Sequence, residues 1–429
     1  MIINFSISNF GPIKGKQTLS FEADRSTHLE DYYVIKENGL RLLKVALIYG
    51  ANASGKTTIL KALEFLRALA LKPKNNKNAE FDFEPFLFDA KTPTENSFIS
   101  IEFLHKNIKY YYEVEFNKKA VISEKLDVYN PRKSNVFKRE TNLESQFTEI
   151  KFGGKIAVDK TFEKTLESNT LWNNTVLGGF SKTNIDIHEL KNVTDWFVGY
   201  LSPIVFSDAD LKDMITSELN DSKISKKEVI SVLNRADFNI TDIIIENEKD
   251  ASETLINVLQ EARVPYYQLN KVISASKFTG AKLQFEHTVG GVSYNLPFEL
   301  ESQGTRRYYG FAGLLSLLIH RSNVLSIDEL ETSLHPDLYK HFILLHLQNS
   351  KQSQLIATTH NREILNDKDI FRDDAIWITD NSNAECAAQL YSFADFDSSV
   401  IRDTTNRLNA YKSGKLGGVP NLGDIYINT

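Results

Sequence analysis

Val45-Ala46-Leu47-Ile48-Tyr49-Gly50-Ala51-Asn52-Ala53-Ser54-Gly55-Lys56-Thr57-Thr58 is the stretch on which the reading of this chain turns. Residues Gly50 to Thr57 fit the phosphate-cradling pattern G-x-x-x-x-G-K-[ST]. Before them, Val45 to Tyr49 form an apolar run of the length of a buried strand. After them, from Thr58 to Leu66, apolar residues recur at helical spacing. A strand, a glycine-rich loop and a helix in this order aim backbone N–H groups and a helix N-terminus at an anion. The expected phosphate-binding residues are Gly50, Asn52, Ser54, Gly55, Lys56, Thr57 and Thr58. Lys56 is expected to reach the β- and γ-phosphates, and the Thr57 hydroxyl to ligate Mg²⁺.

Composition bounds the rest. A chain of 429 residues is long enough for two or three domains, or for one head with a large insertion. Hydrophobic residues at 41% and charged residues at 25% are ordinary for a soluble globular protein. A net charge of −6 argues against coating nucleic acid through overall charge, while a local basic patch stays open. Cys386 is the single cysteine, so no intramolecular disulfide can form and a reducing compartment is expected. The start of the chain alternates like a strand and lacks the basic and apolar regions of a signal peptide. The apolar run from Phe311 to Ile319 is too short to span a bilayer. A cytoplasmic protein with no membrane segment is the expectation.

Along the chain, strands are expected at 2–10, 17–22 and 43–49, then the loop and its helix. Lys72 to Asn78 form a polar break that reads as a solvated loop rather than a nucleic-acid contact. Phe98 to Phe103 and Tyr110 to Phe116 alternate around Asn107, which predicts an antiparallel meander. Their period-two tyrosines favour a sheet face over base stacking. From about 160 to 265 helical spacing returns, as in Ile187 to Leu201 and Val229 to Leu233. Asp208 and Asp210 follow Ile204-Val205-Phe206 and read as a helix start or turn, with metal ligation the weaker alternative. Strand character recurs at Ile240 to Glu246 and Leu283 to His287.

A second constellation lies downstream. Val324-Leu325-Ser326-Ile327-Asp328-Glu329 is a buried strand ending in two acids. In a phosphate-loop enzyme such a carboxylate holds Mg²⁺, so Asp328 and Thr57 are the expected metal ligands. Glu329 is placed to orient or deprotonate water. Shortly before it, Glu301-Ser302-Gln303-Gly304-Thr305-Arg306-Arg307 opens a helical run, and a serine and a glycine at a helix N-terminus can bind phosphate. After it come Ser333-Leu334-His335-Pro336 and the strand Leu355 to His360.

Taken in order, the phosphate loop, S-x-G-T, apolar-Asp-Glu, S-L-H-P and T-T-H resemble ABC-type ATPase heads. The likeness is to the branch that includes chromosome-maintenance, recombination-repair and overcoming-lysogenization-defect ATPases. Within it, the chain is similar to the AAA-domain (type fifteen) ATPases of bacterial anti-phage and abortive-infection systems. Ile7 to Ile13 and Tyr411 to Pro420 resemble that branch's N-terminal turn and C-terminal tail. The resemblance implies an α/β fold: a P-loop ATPase head with a mixed sheet, an antiparallel β subdomain and a mostly helical insertion. The expected division is 1–160, 161–282 and 283–429. ATP and Mg²⁺ are the implied cofactors. Ser302 and Gly304 match the signature that touches the γ-phosphate held by a second subunit, Glu329 the catalytic base and His360 the switch histidine. Ser333 and Leu334 match the loop crossing the dimer interface. Arg306 and Arg307 fit a phosphate clamp in trans and an ordinary helix surface equally.

The function so implied is an ATP-hydrolysing switch that closes as a homodimer or higher homo-oligomer and controls a separate effector protein in anti-phage defence. The alternative is an ATP-dependent DNA clamp or repair ATPase, for which Arg132, Lys133, Lys138 and Arg139 form the best local basic patch. A fused nuclease is disfavoured, because only 69 residues follow His360 and their acids form no convincing metal cluster.

Overall fold

In the computed structural model, residues 1–247, 281–367, 369–381, 383–396 and 407–419 are described. The expected insertion residues 248–280 and Pro420 of the tail lie outside them. The chain opens with β1 (Ile2–Ser8), β2 (Gln17–Ser20), α1 (Glu30–Tyr33), β3 (Val34–Glu37), β4 (Leu40–Leu43) and β5 (Val45–Gly50). There follow α2 (Lys56–Leu71), β6 (Ser97–His105), β7 (Ile108–Phe116), β8 (Val121–Tyr129), β9 (Lys133–Asn142) and β10 (Phe147–Phe152). Next come α3 (Lys160–Asn169), α4 (Val176–Phe180), α5 (His188–Gly199), α6 (Lys212–Asn220), α7 (Lys226–Arg235) and β11 (Asp242–Asn247). Then come β12 (Ala281–Val289), β13 (Val292–Pro297), α8 (Gln303–His320), β14 (Val324–Ile327), α9 (Pro336–Asn349) and β15 (Gln354–Thr358). The last elements are β16 (Ile376–Asp380), β17 (Gln389–Ser392) and α10 (Arg407–Lys412).

These elements form two compact units. The first comprises Met1–Ser207, Ser322–Leu330 and Lys351–Thr429. It contains a five-stranded sheet in the order β14-β15-β5-β16-β17. β14, β15, β5 and β16 pair in parallel, and β17 is antiparallel to β16. Every residue of β5 is buried, as expected of a central parallel strand. The same unit holds a seven-stranded antiparallel sheet in the order β10-β9-β8-β7-β6-β1-β2. Its β6–β7 hairpin turns on Lys106 and Asn107, whose φ values of 49° and 62° suit a tight primed turn. The fold is therefore mixed α/β with a separate antiparallel sheet, as the sequence leads one to expect.

α2 forms because its apolar side chains fall on one stripe. Ile59, Leu60, Leu63 and Leu66 are buried, while Lys61 is exposed. Lys72-Pro73 ends it, since proline disfavours helix in the residue before it. Phe65 then joins an aromatic cluster, 5.0 Å from Phe116 of β7 and 5.4 Å from Phe83 between ring centroids. That cluster packs the helix against the antiparallel sheet. The strands expected at 2–10 and 17–22 end early, at Ser8 and Ser20, and the one expected at 43–49 begins later, at Val45. β1 stops at Ser8 because Asn9 turns to φ 53°, its carboxamide donating to the Thr92 carbonyl. β4 and β5 are separated at Lys44 rather than running as one strand from 43.

The second unit comprises Asp208–Arg321 and Glu331–Ser350. Within it α8 packs on α6, α7 and α9. β11, β12 and β13 make a three-stranded antiparallel sheet. The expected strands near 240–246 and 283–287 are thus present, and the stretch from 160 to 235 is helical in α3 to α7. Asp210 accepts a hydrogen bond from the Lys212 N–H at 2.9 Å, a turn leading into α6. No helix among the described residues is long and apolar enough to cross a membrane.

Candidate nucleotide site

The loop after β5 has no room for side chains at its glycines. A Cβ on Gly50 would lie 2.3 Å from Thr379 Oγ1, and one on Gly55 would lie 2.9 Å from the Ala388 Cβ. Gly55 also adopts φ 102°, a left-handed backbone that favours glycine, directly at the N-cap of α2. Ser54 is buried and its hydroxyl pairs with that of Thr379 at 2.6 Å. Asn52 is exposed and Ala53 takes φ 61°. The Asn381 carboxamide donates to the Ala53 carbonyl at 3.1 Å. Lys56 is buried with its ammonium donating to the Gly50 and Ala51 carbonyls at 2.9 and 3.0 Å. Thr58 packs its methyl under Gly11, whose Cβ position lies 3.2 Å away.

Parallel pairing brings Asp328 and Glu329 to the same sheet edge. β5, β15 and β14 are neighbours, so their carboxyl ends lie side by side, where open α/β sheets bind ligands. Asp328 directly follows β14. It accepts from the Thr57 hydroxyl at 2.9 and 3.1 Å and from the Thr358 hydroxyl at 2.6 Å. Its own N–H donates to the Val205 carbonyl, from a segment that bridges alongside β14. Glu329 takes φ 48° and its N–H donates to Thr358 Oγ1 at 2.8 Å. That turn carries its carboxylate to 3.7 Å from His360 Nε2, both side chains being partly exposed. The Thr57 hydroxyl and Asp328 carboxylate are hard oxygen donors of the kind Mg²⁺ takes, so the donor chemistry fits that ion.

Ser302 and Gly304 lie in the other unit. Ser302 is the N-cap of α8, its hydroxyl accepting from the Thr305 N–H at 3.1 Å. Gly304 has the Ser333 carbonyl 3.3 Å from its Cβ position, so the first turn of α8 and the turn before α9 touch. Arg306 is exposed. Arg307 is held in place, donating to the Ala209 carbonyl and stacking 4.8 Å from the Phe311 ring, and burial lowers its pKa.

Several contacts escape the sequence reading. Thr358, Thr379 and Asn381 each bond to the loop or to Asp328; Thr379 and Asn381 carry no motif, and Thr358 is legible only as part of T-T-H. The repeated Thr358-Thr359 before His360 is the only local signal. One expectation is corrected outright: Arg139 is not part of a basic surface. It is buried, its guanidinium donating to the Val121, Trp172 and Asn174 carbonyls and to Thr148. Period-two alternation puts it on the inner face of β9, between exposed Lys138 and Glu140. Lys133 pairs with Asp127 at 3.2 Å, which further depletes that patch.

Among solved structures, the chain resembles an SMC head bound to the C-winged helix domain of ScpA, with a TM-score of 0.47 and 13% identity over 91% of this chain and 97% of that one. An SMC head domain from Thermotoga maritima gives 0.41 and 12% over 91% and 98%. An Smc head with an extended coiled coil, bound to the C-terminal domain of ScpA derived from Pyrococcus furiosus, gives 0.39 and 15% over 91% and 96%. No curated protein matches the chain. A family model described as "AAA domain, putative AbiEii toxin, Type IV TA system" matches residues 45–366, a span that runs from the first residue of β5 past His360. Because that span takes in more than half of the chain, the protein belongs to this AAA-domain family.

Proposed function

We propose that the chain binds ATP with Mg²⁺ and hydrolyses it to ADP and phosphate, as a switch that dimerises around the nucleotide. The observation that carries this reading is the direct contact of Thr57 with Asp328 at the carboxyl ends of adjacent parallel strands. In this reading the loop N–H groups and Lys56 take the phosphates, Lys56 exchanging its two carbonyl partners for phosphate oxygens. Thr57 and Asp328 hold Mg²⁺, which supplies neutralisation of phosphate charge. Glu329 orients and deprotonates the attacking water, and its contact with His360 couples that base to a histidine that senses the γ-phosphate. Ser302 and Gly304, at the N-terminus of α8, complete the site of a second copy through helix N–H groups.

In biological terms, the reading is a cytoplasmic regulator in anti-phage defence that governs a separate effector protein. The family's description as a putative AbiEii toxin of a Type IV TA system names a two-component setting, which supports a cognate partner. Burial of Arg139 weakens the DNA-clamp alternative by removing a member of its basic patch.

Phosphate release and size-exclusion chromatography with ATP test the proposal together. Lys56→Ala is expected to lose binding and turnover; full activity in that variant would sink the assignment of the phosphate loop. Glu329→Gln is expected to bind ATP, slow turnover by about a hundredfold or more and accumulate the dimer. Turnover equal to the parent chain would place the base elsewhere.

A further inference from the structure

The C-terminal segment returns to the phosphate loop. α10 packs against residues 363–366, just after His360. Tyr411 meets the ring of Tyr49, the residue before the loop, edge-on with the ring centroids 6.3 Å apart. Beyond it, the backbone of Gly418 is pressed onto the loop's first glycine. A Cβ there would lie 2.7 Å from Ile378 Cγ2, 3.1 Å from the Thr379 carbonyl and 3.4 Å from Gly50 Cα. Gly418 also has φ 67°, so both space and backbone call for glycine.

Three side chains hold this approach. Asp380, ending β16, accepts from the Gly418 N–H at 3.0 Å. The Tyr391 hydroxyl donates to the Leu416 carbonyl at 2.5 Å, and the Tyr411 hydroxyl to the Gly418 carbonyl at 2.8 Å. Burial raises the pKa of both phenols, that of Tyr411 to about 12, so they remain donors at neutral pH. β16 pairs directly with β5, with Thr379 opposite Gly50, and Asn381, directly after β16, bonds to the Ala53 carbonyl. Asp380 therefore sits where the tail, the sheet and the loop meet.

We infer that residues 407–419 form a latch that positions the phosphate loop, with Asp380 and Gly418 as positioning residues for nucleotide binding. This rests on the nucleotide-binding reading above. The loop can aim its N–H groups at a phosphate only if Gly50 and Ala53 are held. The tail and Asp380 wall Gly50, while Asn381, next to Asp380, holds Ala53, so ATP affinity depends on a segment far from the loop in sequence. Any partner that pulls the tail away would release nucleotide.

Titration of a fluorescent ATP analogue against the full chain, with steady-state turnover and thermal melting, tests the latch. Asp380→Ala is expected to weaken ATP binding about tenfold and to raise KM while leaving kcat at saturating ATP unchanged. Asp380→Asn keeps an acceptor for the Gly418 N–H and is expected to recover parental affinity. Tyr391→Phe removes one tail contact and is expected to shift affinity in the same direction, which keeps the test available should Asp380→Ala fold poorly. Parental affinity in both Asp380→Ala and Tyr391→Phe, or a lowered melting temperature with affinity unchanged, overturns the latch. Lys56→Ala is measured alongside: if it binds ATP as the parent does, the nucleotide reading itself falls. If it abolishes binding while the latch variants bind normally, the latch alone falls.

Discussion

Arg139 and Glu124 face each other's charge inside the antiparallel sheet with no solvent to share it. Glu124 is fully buried, and its carboxylate accepts from the Tyr112 hydroxyl at 2.8 Å and from the Val176 N–H at 2.7 Å. Burial raises its pKa from 4.5 to about 7, although the Arg139 charge pulls it back. The folded chain thus binds a proton here over a range in which the unfolded chain has released it. Stability from this group is complete below about pH 4.5 and is lost as pH rises through 7, by up to about 3 kcal/mol. Thermal melts across pH 5 to 8 are expected to show a falling melting temperature, and Glu124→Gln, which keeps an acceptor, is expected to flatten that fall. An unchanged slope in the variant would assign the pH dependence to another group. At this scale the sequence is a poor guide to Arg139. A lone arginine among charged neighbours gives no sign of facing inward until strand register decides it.

α2 shows what an element can and cannot reveal in isolation. Its buried stripe is local: the sequence pattern puts helical spacing at Thr58 to Leu66 and a polar break from Lys72, and the structure carries the helix from Lys56 to Leu71. What anchors the helix is not local. Phe81 and Phe83 stand in a loop with no periodic context, yet they meet Phe65 and Phe116. Phe116 is fully buried at the centre of this cluster. Phe116→Ala is expected to destabilise the chain by about 3–5 kcal/mol, read from the urea midpoint. A loss near 1 kcal/mol would mean that the cluster does not anchor the helix. The N-terminus of α8 is the converse example. Ser302 caps it, as a serine before a helical run predicts, but its touch on the turn before α9 through Gly304 emerges only on packing.

For the whole molecule, the proposed dimer makes a demand of its own. Ser302→Arg is expected to leave ATP binding intact while preventing the ATP-dependent dimer of the Glu329→Gln chain; an undiminished dimer peak on size-exclusion chromatography would refute a role for α8 in trans. The sequence alone determined the phosphate loop, the strand ending in Asp328 and Glu329, and the mixed α/β class. Each depends on residue types within a few positions, because a phosphate cradle needs glycines where no Cβ fits and a buried parallel strand needs an unbroken apolar run. The sequence paired Thr57 with Asp328 as expected metal ligands; tertiary structure alone decided that Thr358 secures both Asp328 and Glu329, that Arg139 turns inward, and that Gly418 seals against Gly50. Those outcomes follow from strand order and register, which bring distant segments together and choose the face each side chain takes, and no local periodicity carries that information.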